Sequence, residues 1–207
     1  MGTNVYGVVL AGGIGSRMGN VEKPKQWIKY TQDVVRRYIR QRSCVDVIEG
    51  GATRNETVMN SISHIEQHYG LDEETIIVTH DSVRPFVTHR ILEDNIRFAK
   101  EFGACDTVIA ATDTIVRSSD HEMIAEIPDR SQMYQGQTPQ SFKAKKLREV
   151  YQGLTEEEKK ILTDCCKIYV LKGEKVHLVE GEVFNMKITY PFDLRMAQSI
   201  LGEEETC

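Results

Sequence analysis

Residues able to handle phosphate recur along this 207-residue chain. The densest group is Leu10-Ala11-Gly12-Gly13-Ile14-Gly15-Ser16-Arg17-Met18-Gly19, followed by Lys23-Pro24-Lys25-Gln26. Glycines let backbone N–H groups close around phosphate oxygens with no Cβ in the way. The run lacks the Gly-Lys-Ser/Thr ending of a P-loop. It also misses the dinucleotide spacing, because Gly19 falls one residue late. Its distinguishing feature is a pair of cations, Arg17 in the loop and Lys25 eight positions on, both available to a polyphosphate. A tight turn with incidental charges is the competing interpretation. Arg36, Arg37, Arg40 and Arg42 form the strongest basic cluster. They sit near the end of a predicted helix, where cations suit the macrodipole, and read as a solvated face.

The elements that would position these groups alternate. Val5 to Leu10 is a short Val-rich run that reads as a buried parallel strand stopping at Ala11-Gly12-Gly13. Trp27, Thr31, Val34 and Tyr38 recur at helical spacing. Val45 to Ile48 reads as a second strand closed by Gly50-Gly51, and Val58, Ile62, Ile65 and Tyr69 as a helix. Ile76 to Val78 reads as a strand ending in His80-Asp81. Ile91 to Phe102 reads as a helix with Thr88 as its N-cap, and Thr107 to Ala111 as a strand. Such alternation implies an α/β architecture with a mostly parallel sheet. Thr114 to Val116 and Met123 to Ile127 are short β-like pieces with no long helix between them, which suggests an antiparallel arm. Thr155-Glu156-Glu157-Glu158 fits a capping box before a short helix. Ile168 to Leu171 and Val176 to Val179 read as strands, and a last helix is predicted from Pro191. With no repeat or low-complexity stretch, one domain over residues 1–207 is the economical reading.

Composition narrows the classes. Apolar residues make up 40% and charged residues 28%, with a net charge of -5. That balance argues against holding a nucleic-acid backbone. No apolar run approaches the ~20 residues that cross a bilayer, and Met1 to Leu10 has no basic leader, so neither a membrane nor a secretory role is expected. Cys44, Cys105, Cys165, Cys166 and Cys207 show no CxxC pair or His/Cys ladder. They read as reduced thiols in a cytoplasmic protein.

Leu-Ala-Gly-Gly-x-Gly-x-Arg-Met followed by Pro-Lys-Gln resembles the signature of nucleotidyltransferases that activate sugar or polyol phosphates. Three further segments are similar to the cytidylyltransferase branch, which includes ribitol-5-phosphate and methylerythritol-phosphate cytidylyltransferases. They are His80-Asp81-Ser82-Val83-Arg84-Pro85-Phe86, Gln135-Gly136-Gln137-Thr138-Pro139-Gln140, and Asn185-Met186-Lys187-Ile188-Thr189 with Pro191 and Asp193-Leu194. They keep the family's order and span nearly the whole chain. The resemblance implies a Rossmann-like, mostly parallel sheet flanked by helices, with a β-arm for dimerisation over roughly 112–140.

It also implies roles. Leu10, Ala11, Gly12, Gly13 and Gly15 would line the nucleotide. Arg17 and Lys25 would stabilise the pentavalent transition state of CMP transfer from CTP, and Lys187 would sit near the acceptor and the α-phosphate. Asp81, with Ser82 beside it, matches a Mg²⁺-associated aspartate. A single carboxylate suffices there, because phosphate oxygens and water complete a magnesium shell; a turn cap is the plainer alternative. Arg84 is placed to hold its own loop or a phosphate. Gly50, Gly51 and Thr57 match the region that receives cytosine. Arg130 would reach the polyol phosphate from a partner subunit's arm, which implies a homodimer, and Thr114 and Thr138 are hydroxyl candidates for the polyol. A surface ion pair is the alternative for Arg130.

Two departures are visible. Where the methylerythritol branch carries an aspartate before Asn-x-Lys, this chain has Phe184, and Tyr134 to Phe142 looks like the ribitol branch. Ribitol 5-phosphate, as used for teichoic-acid-type cell-wall polymers, is therefore the expected acceptor, with methylerythritol 4-phosphate or a catalytically silent homologue as alternatives. Second, Gln26 runs straight into Trp27, whereas the family has a helix and a strand between them. Either that unit is deleted and the third strand shifts inward, or the polypeptide is broken at this point. A break would show as a Cα separation well beyond ~3.8 Å.

Overall fold

The computed structural model describes residues 2–11, 25–39 and 44–203. Five strands form one sheet in the order β1-β2-β4-β3-β5. They are β1 (Val5–Leu10), β2 (Ile76–Asp81), β3 (Ala104–Ala110), β4 (Tyr134–Lys143) and β5 (His177–Glu180). β1 runs parallel to β2 and β3 parallel to β5, while β4 is antiparallel to both neighbours. The sheet is thus mixed, not mostly parallel. The reason is β4, whose polar sequence hides a strand buried from Gln137 to Phe142. Its polar groups find partners inside the fold: Gln140 Nε2 donates to Asp106 Oδ1 (3.0 Å) and Ser141 Oγ to Asn95 Oδ1 (3.1 Å). Paired in this way, buried polar groups escape most of the desolvation cost.

α1 (Lys25–Tyr38) is one uninterrupted helix through Gln26 and Trp27. Val45 to Ile48 carries no strand, and its Asp46 is instead tied to α2 (Arg54–Tyr69) by His64 Nε2 and Tyr69 O–H, each 2.8 Å from Asp46 Oδ2. β1 consequently has β2 as its one strand neighbour among the described residues. Tyr6, Val8 and Leu10 pack against the core, while Val5 and Val9 point to the opposite, exposed face.

Helix caps explain most boundaries. Thr53 caps α2, and Thr88 caps α3 (His89–Phe102). α3 closes on Gly103 at φ 85°, a left-handed position that glycine adopts without a Cβ penalty. α4 (Ala144–Gln152) follows β4 directly, and the expected capping box opens α5 (Glu156–Lys160). The predicted strand at Ile168–Leu171 is instead part of α6 (Cys165–Leu171). Asp164 caps that helix, and Cys165, Cys166, Ile168 and Tyr169 share one buried helical face, a spacing that a short apolar run leaves ambiguous. α7 (Pro191–Glu203) starts at the predicted proline. None of the described helices is long and apolar enough to cross a membrane.

The expected β-arm is not evident. Residues 112–133 contain an isolated bridge between Arg117 and Glu126 and a short 3₁₀ turn at Arg130–Gln132. The tip is organised by Asp120, whose carboxylate accepts from Glu122 N, Met123 N and Ser118 Oγ, so turn bonds replace a ladder. The end of the expected arm, from Tyr134 on, is β4 itself.

The core lies between the sheet and α2, α4 and α6, around Val58, Ile62, Ile77, Phe142, Leu147 and Ile168. A partly buried carboxylate borders it. Burial pushes the Asp106 carboxyl up to about 6, against the Gln140 hydrogen bond. Because its folded pKa exceeds the unfolded one, the folded state holds this proton more tightly between about pH 4 and 6. The group's contribution to stability therefore falls as pH rises through that window and levels off above it. Asp106→Asn removes the titration. Urea unfolding of both proteins is expected to show the variant gaining on the wild type by roughly 2–3 kcal/mol between about pH 4 and 7.5. A difference that is constant over that range would refute the assignment.

Candidate active site

Asp81 is the last residue of β2, at the carboxyl end of the parallel β1–β2 pair, where α/β sheets commonly place ligands. Its backbone is fixed by a directional relay. Asp81 N–H donates to Thr138 Oγ1 (3.1 Å), and Thr138 Oγ1 lies 3.0 Å from His80 Nδ1. His80 Nε2 lies 2.9 Å from the Arg84 carbonyl, which can only accept, so Nε2 carries the hydrogen and Nδ1 accepts from Thr138. Burial lowers the His80 pKa, consistent with this neutral ring. The Thr138 hydroxyl, a candidate for the polyol, is thereby used within the protein and is 4% exposed.

The Asp81 carboxylate collects cations from distant segments. Lys187 Nζ donates to Oδ2 at 2.8 Å, and Arg54 Nη2 reaches Oδ1 at 3.4 Å. Burial pushes the carboxyl up, but the Lys187 hydrogen bond and the charges of Arg54 and Arg84 outweigh it and hold it below its ordinary range. Arg84 Nη1 donates to the Asn185 carbonyl at 2.8 Å. Asn185, fully buried, donates through Nδ2 to the Thr138 carbonyl (2.9 Å) and Gln137 Oε1 (3.1 Å). Two sequence-predicted segments, around Asp81 and around Lys187, thus meet over β4. Ser82 N–H donates to the Leu10 carbonyl at 3.1 Å, which brings the end of β1 and Ala11 to the same rim.

The Gly50–Gly51 loop enters this region through α2. Gly51 N–H donates to Thr57 Oγ1 at 3.0 Å, and Ala52 N–H to Glu56 Oε2 at 2.7 Å. The loop lies so close to the helix that a Cβ on Gly51 would come within 2.9 Å of the Glu56 backbone. The Thr57 hydroxyl is thus what holds the glycine pair against α2.

Other candidates lie elsewhere. Thr114 is exposed in the 112–133 segment, and Arg130 Nη1 donates to the Thr112 carbonyl at 3.0 Å. No hydrogen bond or ion pair joins either to Asp81, Arg84 or Lys187 among the described residues. Gly12, Gly13, Gly15 and Arg17 lie outside the described residues, as does Cys207; Lys25 opens α1. Arg54 is the site residue that sequence reasoning passed over. Its signal was present, an arginine in the first turn of a helix directly after a glycine pair. The three buried cysteines are free, and burial pushes the Cys165 thiol up to about 12, which disfavours its thiolate form.

The family model for IspD, 2-C-methyl-D-erythritol 4-phosphate cytidylyltransferase, matches residues 31–203. The fold is similar to that of 4-diphosphocytidyl-2C-methyl-D-erythritol synthase from Anaerococcus prevotii, with TM-score 0.74 and 22% identity over 97% of this chain and 96% of that one. It is similar also to 2-C-methyl-D-erythritol 4-phosphate cytidylyltransferase from Thermus thermophilus, with TM-score 0.68 and 24% identity over 96% and 99% of the two chains. The Francisella tularensis enzyme of the same name gives TM-score 0.74 and 20% identity over 95% and 99%. The protein is a nucleotidyltransferase. Within that class it belongs to the IspD family of CTP-dependent cytidylyltransferases.

Proposed function

We propose that the protein transfers CMP from CTP to the phosphate of 2-C-methyl-D-erythritol 4-phosphate, releasing pyrophosphate, in the cytoplasm and as a homodimer. The observation that carries this reading is the Asp81–Lys187 contact at the mouth of β1 and β2, inside a chain matched by that family's model. The attacking acceptor oxygen is already anionic, so no strong base is required. It bonds to the α-phosphorus as the bond from that phosphorus to the bridging oxygen breaks, and pyrophosphate leaves with the electron pair. The barrier comes from negative charge crowding the phosphorus, and positioned cations relieve it. Lys187, the most exposed of the three charged groups at 41%, is free to trade the Asp81 oxygen for phosphate oxygens. Arg17 would act from the glycine loop and Lys25 from the start of α1, and Gly50, Gly51 and Thr57 would receive the base. Arg130 would serve the partner subunit's polyol phosphate, and Thr114 would be a hydroxyl for the polyol.

Asp81 also fits a magnesium site. It offers hard carboxylate oxygens next to where the triphosphate would lie, and phosphate oxygens and water would complete the shell of a single-carboxylate site. When bound, Mg²⁺ would draw charge from the phosphate oxygens.

One observation favours ribitol 5-phosphate as the acceptor instead. Phe184, partly exposed beside Asn185, stands where the methylerythritol branch carries an aspartate. Pyrophosphate release from CTP with each acceptor separates the readings. Faster turnover with methylerythritol phosphate is expected. Faster turnover with ribitol phosphate would transfer the assignment to that substrate, and binding of CTP with no turnover on either would leave a silent nucleotide-binding homologue.

A further inference from the structure

Asp81 is held from two sides by groups of different mobility. Lys187 projects from a segment with no regular secondary structure and is 41% exposed. Arg54 is anchored in the first turn of α2 behind the Thr53 cap, and its side chain is 24% exposed. Its guanidinium is shared among Asp81 Oδ1 (3.4 Å), Gln140 Oε1 (3.4 Å) and Cys165 Sγ (3.9 Å). Gln140 is fixed in turn by donating to Asp106 Oδ1 at 3.0 Å. A planar fork with fixed donors holds two acceptors in a set geometry, which an ammonium cannot do.

From this asymmetry we infer that Arg54 is the positioning residue for Asp81. It holds Oδ1, so that departure of Lys187 toward the nucleotide leaves Oδ2 directed at a divalent cation. The inference rests on Asp81 being the metal anchor. Arg54 touches neither the reacting atoms nor the cation, and its work is to keep the carboxylate from turning when its more mobile partner leaves. Partners of this kind, one shell behind a ligand, typically change metal affinity about 10–100-fold.

The test is CTP affinity by calorimetry without acceptor, once with Mg²⁺ and once with EDTA. Wild-type protein is expected to bind CTP more tightly with Mg²⁺. In Arg54→Gln that gain should shrink about tenfold, with the affinity in EDTA changed less than about twofold. Arg54→Lys keeps charge and bulk, and carries the same comparison should the glutamine variant not fold. It should lose at least about threefold of the gain, again with affinity in EDTA unchanged. A gain equal to wild type in a folded variant overturns the inference. So does an equal loss with and without Mg²⁺, which would mean that Arg54 contacts the nucleotide or merely supports the glycine loop. If wild-type protein itself binds CTP equally in Mg²⁺ and EDTA, the metal-anchor reading fails, and this inference with it.

Discussion

Lys187→Gln is expected to lower kcat about 10²–10³-fold while changing the KM for CTP only a few-fold. The argument is one of charge and mobility. Lys187 is the described cation that can leave its carboxylate for the nucleotide, since Arg54 is tied to α2 and Arg84 to the Asn185 carbonyl. In the ground state its ammonium only exchanges one anionic partner for another. Its full benefit arises when negative charge builds at the α-phosphorus, so removing it should damage the transition state more than the ground state. Steady-state kinetics against CTP at saturating acceptor, with circular dichroism to confirm folding, measures the split. A rise in KM with kcat intact would reduce Lys187 to a binding group.

Phe142→Ala should cost about 3–5 kcal/mol of stability. The ring is fully buried and stacks on Tyr169 at 5.5 Å between centroids. It lies on β4, paired with Ile77 of β2 on one side and Ala104 of β3 on the other. Small side chains around it, such as Ala104 and Ala144, cannot expand into the cavity. Against a typical total of about 5–15 kcal/mol, such a loss would leave a marginal protein. Urea unfolding followed by circular dichroism checks the value; a cost under about 1 kcal/mol would show that the surroundings collapse into the space.

Much of this fold was legible because most of its elements carry a clear period. Val5 to Leu10, Val58 to Tyr69 and Ile91 to Phe102 announce themselves by apolar spacing and caps. β4 was hidden because Gln137, Thr138, Gln140 and Ser141 are polar yet buried, and only their distant partners make that tolerable. Ile168 to Leu171 misled because four apolar or aromatic residues in a row suit strand and helix alike; the Asp164 cap decided it. In the site, Asp81 and Lys187 were legible as motif residues, whereas Arg54 carried only the weak signal of a helix-first-turn arginine, since its meaning depends on Asp81 lying across the sheet edge. The acceptor was read as ribitol phosphate from Phe184 and its neighbours, and the matched family model names methylerythritol phosphate instead.

The reversed β4 has a further effect, on when the site comes into being. Asp81 meets Thr138 across 57 positions of chain and Lys187 across 106. Closing such loops costs entropy before any contact repays it, and long-range pairings form slowly. A nascent chain emerging from the ribosome therefore carries the Gly50–Gly51 loop, Arg54 and Asp81 long before Lys187 is available to that carboxylate. Competence for chemistry arrives late in synthesis, once the segment around Asn185 has docked over the sheet.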